Sequence, residues 1–158
     1  MTTLPVRGFS LIELMVSLAL IALFATLALP MHELSVRRTQ ESELRDALRQ
    51  IRAALDAYRQ AGEAGRIPVQ TGASGYPRSL ELLVGGVRDA RNPSAAPINF
   101  LRRIPRDPFA ASDVRATVSW GLRSYLSPHD RPSPGDDVYD VYSLSPGTGI
   151  NGIPYRQW

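Results

Sequence analysis

Arg7-Gly8-Phe9-Ser10-Leu11-Ile12-Glu13-Leu14 opens a segment that runs on without another charge to Pro30. One carboxylate, Glu13, stands near the start of a stretch otherwise built to enter lipid. An acidic side chain at membrane depth costs about 2.5–3.5 kcal/mol on insertion scales, so such a residue is normally paired and functional. A cut between Gly8 and Phe9 would create an α-amino group four residues before Glu13, a cation within reach of that carboxylate. From Leu14 to Met31 there are 18 consecutive uncharged residues. That is near the lower limit for spanning about 30 Å of hydrocarbon, and Phe9–Ile12 extend it to a comfortable length.

The eight residues before Phe9 precede the apolar run, whereas a secretory signal places its cleavage site after its apolar core. Beyond Pro30 the chain reads Met31-His32-Glu33-Leu34, which lacks the small residues of such a site. The apolar helix is therefore expected to stay on the mature protein. Arg7 favours a cytoplasmic leader, but Arg37 and Arg38 flank the other end, so positive-inside counting is nearly balanced. Pro30 removes one helix hydrogen bond, and the expectation is a kink within a helix that continues.

Past Pro30 a second helical pattern begins. Leu44, Leu48, Ile51, Leu55 and Tyr58 form one apolar stripe, with Arg45, Arg49, Gln50, Arg52 and Arg59 on the other faces. Glu41 and Arg45 are an i,i+4 pair in the favourable order. Gly62 and Gly65 end the pattern. One helix over 9–61 would measure about 80 Å. Its first half would need lipid or copies of itself for cover, and its second half a downstream domain. The stripe spans too few heptads to specify a coiled coil.

Residues 63–158 hold eleven of the 13 prolines. Between the turns, Ser79–Val84 reads as a short helix. Ala116–Leu122 and Ser124–Leu126 read as β-prone stretches, and Val138–Leu144 as a half-buried strand. Pro128–Asp137 reads as a polar loop. A small antiparallel sheet laid on the helix stripe is the simplest architecture, giving an α+β fold.

All 18 basic residues are arginine and the formal net charge is +3, with acids and bases interspersed. No run of like charge marks a nucleic-acid patch, so no nucleic-acid partner is expected. There is no cysteine, hence neither disulfide nor thiolate metal site. The histidines, His32 and His129, lack ligand-spaced partners. No Gly-x-Ser-x-Gly elbow or Gly-x-x-x-x-Gly-Lys loop occurs, and an enzyme is not expected.

The leader, Gly8, Phe9, Glu13 and the uninterrupted apolar run together resemble the type IV pilin superfamily. Farther along come Tyr76-Pro77, Ile104-Pro105-Arg106-Asp107-Pro108-Phe109, Tyr139-Asp140-Val141-Tyr142-Ser143-Leu144 and Trp158. In that order they resemble the major pseudopilins of type II secretion, the general secretion pathway protein G family. The resemblance implies a leader, 1–8, removed by prepilin peptidase between Gly8 and Phe9, and N-methylation of Phe9. It implies a transmembrane assembly helix over 9–31, its amphipathic continuation over 32–61 and a periplasmic globular head over 62–158. Glu13 of one subunit would pair with the Phe9 amine of the next, and Pro30 would bend the helix.

The implied partners are copies of itself in a homopolymer, other pseudopilins, an inner-membrane assembly platform and membrane lipid. The implied location is the inner membrane, amino terminus cytoplasmic, and a periplasmic pseudopilus once assembled. Two departures stand out. Asp107-Pro108-Phe109-Ala110 replaces the family's Asp-Pro-Trp-Gly, and Ser145–Gly152 lacks the aspartates with which the family binds calcium. Asp136, Asp137 and Asp140 are the nearest carboxylates, but six to eight oxygens are needed, so no cofactor is expected, with calcium at these residues the alternative. Two alternatives remain: a surface type IV pilin serving adhesion, motility or DNA uptake, and a membrane-tethered periplasmic binding module.

Overall fold

The computed structural model describes residues 9–158, apart from the side chains of residues 25–30. The fold is α+β and pilin-like: a long amino-terminal helix followed by a small antiparallel sheet. Helix α1 covers Leu11–Glu63, 53 residues, and continues through position 30, so the proline does not end it. By its internal contacts the chain divides into two units, Met1–Thr39 and Gln40–Trp158.

In the second unit, the expected stripe of α1 is the heart of the core. Leu44, Leu48, Ile51 and Leu55 are buried, joined by Ala47 and Ala54, while Tyr58 is half-buried. The helix stops two residues beyond the expected Ala61. Gly65 adopts φ 65°, the Arg66 N–H donates to the Ala61 carbonyl, and the Gly65 N–H donates to Gly62. This is a Schellman cap, in which a left-handed residue lets two following amides satisfy the last carbonyls.

The expected short helix is α2, Glu81–Gly85, whose Leu83 is fully buried. Strands β1 (Trp120–Arg123) and β2 (Asp140–Ser143) pair antiparallel, with Trp120 opposite Ser143 and Arg123 opposite Asp140. Trp120, Val138 and Val141 close the core over the helix stripe, together with Leu80, Leu83 and Tyr155. Gly121 lies under the Tyr142 ring on the neighbouring strand, where a Cβ would collide with it.

The strand expectations were too long at their ends. Ala116–Val118 is a single 3-10 turn, not strand. Ser124–Leu126 is a turn as well: the Tyr125 N–H donates to the Asp137 carboxylate at 2.8 Å, and the Ser127 N–H to Ser124. Those amides have local side-chain and turn acceptors, so a ladder has nothing to gain there. Ordered strand likewise covers only the middle of Val138–Leu144. Val138 donates instead to the Pro77 carbonyl, and the Leu144 side chain is exposed.

Candidate functional site

Two sets of residues could carry function, one in each unit. At the start of α1, the Ser10 hydroxyl accepts from the Glu13 N–H at 3.3 Å, so Ser10 caps the helix. Ser10-Leu11-Ile12-Glu13 thus has the spacing of a capping box, with the serine half of it formed. The Ser17 hydroxyl donates to the Glu13 carbonyl at 2.7 Å. Among the described residues nothing engages the Glu13 carboxylate itself. Its expected partner, an α-amino group on Phe9, does not exist in the uncleaved chain.

Apart from Ser10 and Ser17, the helix around this carboxylate is apolar. Phe9, Leu11, Ile12, Met15, Leu18 and Ile21 are all exposed, Leu11 to 77%. A helix apolar all round is stable only when lipid or protein covers it. Among the described residues no helix is long and apolar enough to cross a membrane, and the side chains of 25–30, which complete the run to Met31, lie outside them. Residues 1–8, including Gly8, also lie outside the described residues.

In the second unit the separate motifs of residues 76–158 meet. Asp107 is buried: one carboxylate oxygen takes the Ser143 hydroxyl at 2.6 Å, the other the Phe109 N–H at 2.8 Å. Its own N–H donates to Ser119, and the Trp120 indole donates to the Pro105 carbonyl at 2.9 Å. The Ile104–Phe109 segment is thereby locked to both strands. Tyr76 lies edge-on to Tyr139, while Pro77 accepts from Val138. Phe109 stacks on Tyr155 at 4.2 Å, filling the place of the tryptophan that the resemblance leads one to expect.

A second network ties the last residues to α1. Glu41, only 3% exposed, accepts from the Tyr155 hydroxyl at 3.0 Å and the Ile150 N–H at 2.7 Å. Its partner in the expected surface pair, Arg45, is 3.5 Å away and stacks over Trp158. Arg52 donates to Asp140 at 2.7 Å and to the main-chain oxygens of Val141 and Trp158. Sequence reasoning gave Glu41 only as a helix partner of Arg45 and placed Arg52 off the apolar stripe, and both belong to this network. A signal existed for the first: Glu41 lies three residues before Leu44 and so continues the apolar stripe by one step.

The carboxylates considered for calcium are otherwise engaged or apart. Asp137 caps Tyr125, Asp140 binds Arg52, and Asp136 is exposed. Among the described residues no three His, Asp or Glu side chains are grouped so as to hold a metal.

One carboxylate has a shifted titration. The Arg91 N–H, 2.9 Å from Asp89, holds its carboxyl below the usual range against the opposing effect of burial, and the Arg66 guanidinium, at 3.0–3.1 Å, adds to it. A depressed folded value means that the ionised clamp stabilises the fold above the ordinary value of 3.8 and is lost as pH falls through the folded value. We expect the Ala90 amide, which donates to Arg66, to lose hydrogen-exchange protection on acidification below about pH 4 before the core amides do. In Asp89→Asn this step should vanish. A single acid transition over the whole unit would refute it.

Residues 5–29 match the prokaryotic N-terminal methylation motif. The chain carries a type IV pilin-like prepilin signal. The signal marks a membrane-anchored, pilin-like protein, of a kind that prepilin peptidase processes and that assembles into polymers. Pilin-like proteins are structural subunits, generally without enzymatic activity. The match is confined to residues 5–29 and leaves the second unit unassigned. No curated protein and no solved structure matches this chain.

Proposed function

We propose that this chain is a structural pseudopilin of a type II secretion system. Prepilin peptidase cuts it between Gly8 and Phe9 and Phe9 is N-methylated. Residues 9–31 span the inner membrane, and the globular part stands in the periplasm. Subunits then leave the bilayer and join copies of themselves and other pseudopilins on an inner-membrane assembly platform. The new Phe9 amine of one subunit neutralises Glu13 of its neighbour. A buried charge pair of this kind sets axial register more than it adds net stability. Growth of the stack of apolar helices does the mechanical work of secretion, driven by an assembly ATPase elsewhere in the machine.

The observation that carries the pseudopilin reading is the Asp107–Ser143 bond, which joins the Asp-Pro-Phe segment to the Tyr-Ser-Leu strand. This supports the reading, since the motifs behind the resemblance meet in one structural unit. The lack of cysteine also favours it over surface pilins, whose carboxy-terminal loop is commonly disulfide-closed.

The test compares the culture-supernatant proteome of a deletion strain with its complemented parent, with surface pili imaged in parallel. Loss of secreted proteins with pili intact is the expected result. Unchanged secretion with lost pili would transfer the protein to the surface-pilus branch.

A further inference from the structure

The second unit carries a cleft of about 1020 Å³ between the 68–76 loop, the 124–126 turn and residues 135–137. Its rim holds the most exposed large apolar side chain of the described residues, Leu126 at 91%, beside Tyr125 at 50% and Val69 at 44%. Asp136 is exposed on the same rim, next to Asp137, and neither forms a salt bridge among the described residues. An apolar rim edged by carboxylates suits a cationic side chain with a long apolar stem, since arginine covers apolar surface with its methylenes while its guanidinium stays polar.

This unit already uses arginine in that way. Arg45 stacks on Trp158, Arg59 on Tyr76 and Arg123 on Tyr139. Tyr125 stacks beside Tyr76 and keeps half its surface uncovered. The complementary feature is also on this unit. Arg102 and Arg103 form an exposed basic doublet on a bend, with no salt bridge among the described residues. In one chain an acidic, aromatic cleft and a basic bend at separate positions make a heterologous pair, the kind of contact that propagates into a filament when it does not close on itself.

We propose that the cleft at Tyr125, Leu126 and Asp136 receives the Arg102–Arg103 bend of a second copy. The proposal rests on the assembly reading above and adds to it a lateral contact between globular units, independent of Glu13.

Two measurements on the full-length chain test it. The first is charge exchange. Asp136→Arg alone, and Arg102→Asp with Arg103→Asp, should each lower filament yield about tenfold, the scale of an interfacial charge pair. All three substitutions together should restore it. Asp137 is left alone because it caps Tyr125.

The second is cross-linking, which a chain without cysteine makes unambiguous. One tagged copy carries Leu126→Cys and an untagged copy carries Arg103→Cys, and a mixed disulfide dimer is expected under mild oxidation. Full yield in both charge reversals, or no mixed dimer, would overturn the proposal. If the unsubstituted chain forms no filaments, that counts against the assembly reading, while the cross-link in detergent still decides the contact.

Discussion

Glu13→Ala is expected to reduce filament assembly by at least about tenfold while leaving membrane insertion intact or improved. Removing the carboxylate removes an insertion cost of at most about 2.5–3.5 kcal/mol, the value for a charge at the helix centre, so the variant enters lipid at least as readily as the native chain. Assembly moves the other way. In the polymer the Phe9 amine would stay buried with no counter-charge, and breaking a buried pair by removing one partner costs about 3–5 kcal/mol. Each 1.4 kcal/mol is tenfold in an equilibrium, so a partly relieved penalty still exceeds that factor. Glu13→Gln keeps the size and loses the charge, and should fall with Ala. The Ser10 cap is made by the Glu13 backbone N–H and survives both changes, so helix fraying does not confuse the outcome. The readouts are membrane fractionation and sheared-filament yield. Native yields from Glu13→Ala would remove the pairing role, and with it the main physical reason for a carboxylate in this helix.

The second large effect is on stability. Asp107→Ala leaves the buried Ser143 hydroxyl and the half-buried Phe109 N–H without their acceptor. Hydrogen bonds to a charged group contribute about 1.5–3 kcal/mol each, and an orphaned buried donor carries its own desolvation cost. A loss of about 3 kcal/mol or more is expected for the globular unit, read as a lowered thermal midpoint of the detergent-solubilised full chain. Ser143→Ala removes one donor to the carboxylate and the acceptor of the Ser145 N–H but leaves the Phe109 bond in place, so it should cost less than Asp107→Ala. The double variant should cost less than the sum, because the two groups share one interaction. Equal effects from the two single variants would show that the Ser143 bond carries the whole Asp107 contribution and that the Phe109 bond adds nothing.

How much of this was legible beforehand depends on whether the physics is local. The stripe from Leu44 to Tyr58 was readable because burial on a helix repeats every three to four residues, and the structure buries its four aliphatic members fully. Gly65 was readable as a helix end because a left-handed cap strongly prefers glycine. The strand ends were not, because Tyr125 and Val138 have β-compatible side chains while their amides bond to Asp137 and Pro77. Propensity describes the side chain and says nothing of which acceptor lies opposite.

Glu41 and Arg52 show the same division at the candidate site. Both are charged residues on a helix, and by composition alone both belong in water. Glu41 reaches Ile150 and Tyr155, and Arg52 reaches Asp140 and Trp158, across about a hundred positions of chain. The sequence by itself determined the features that rest on near neighbours: the methylation motif, the apolar run, the helix stripe and its glycine stop. Only the tertiary structure decided which polar groups are buried and what each one holds. A buried charge is tolerated when distant partners satisfy it, and those partners become neighbours only once the chain has folded.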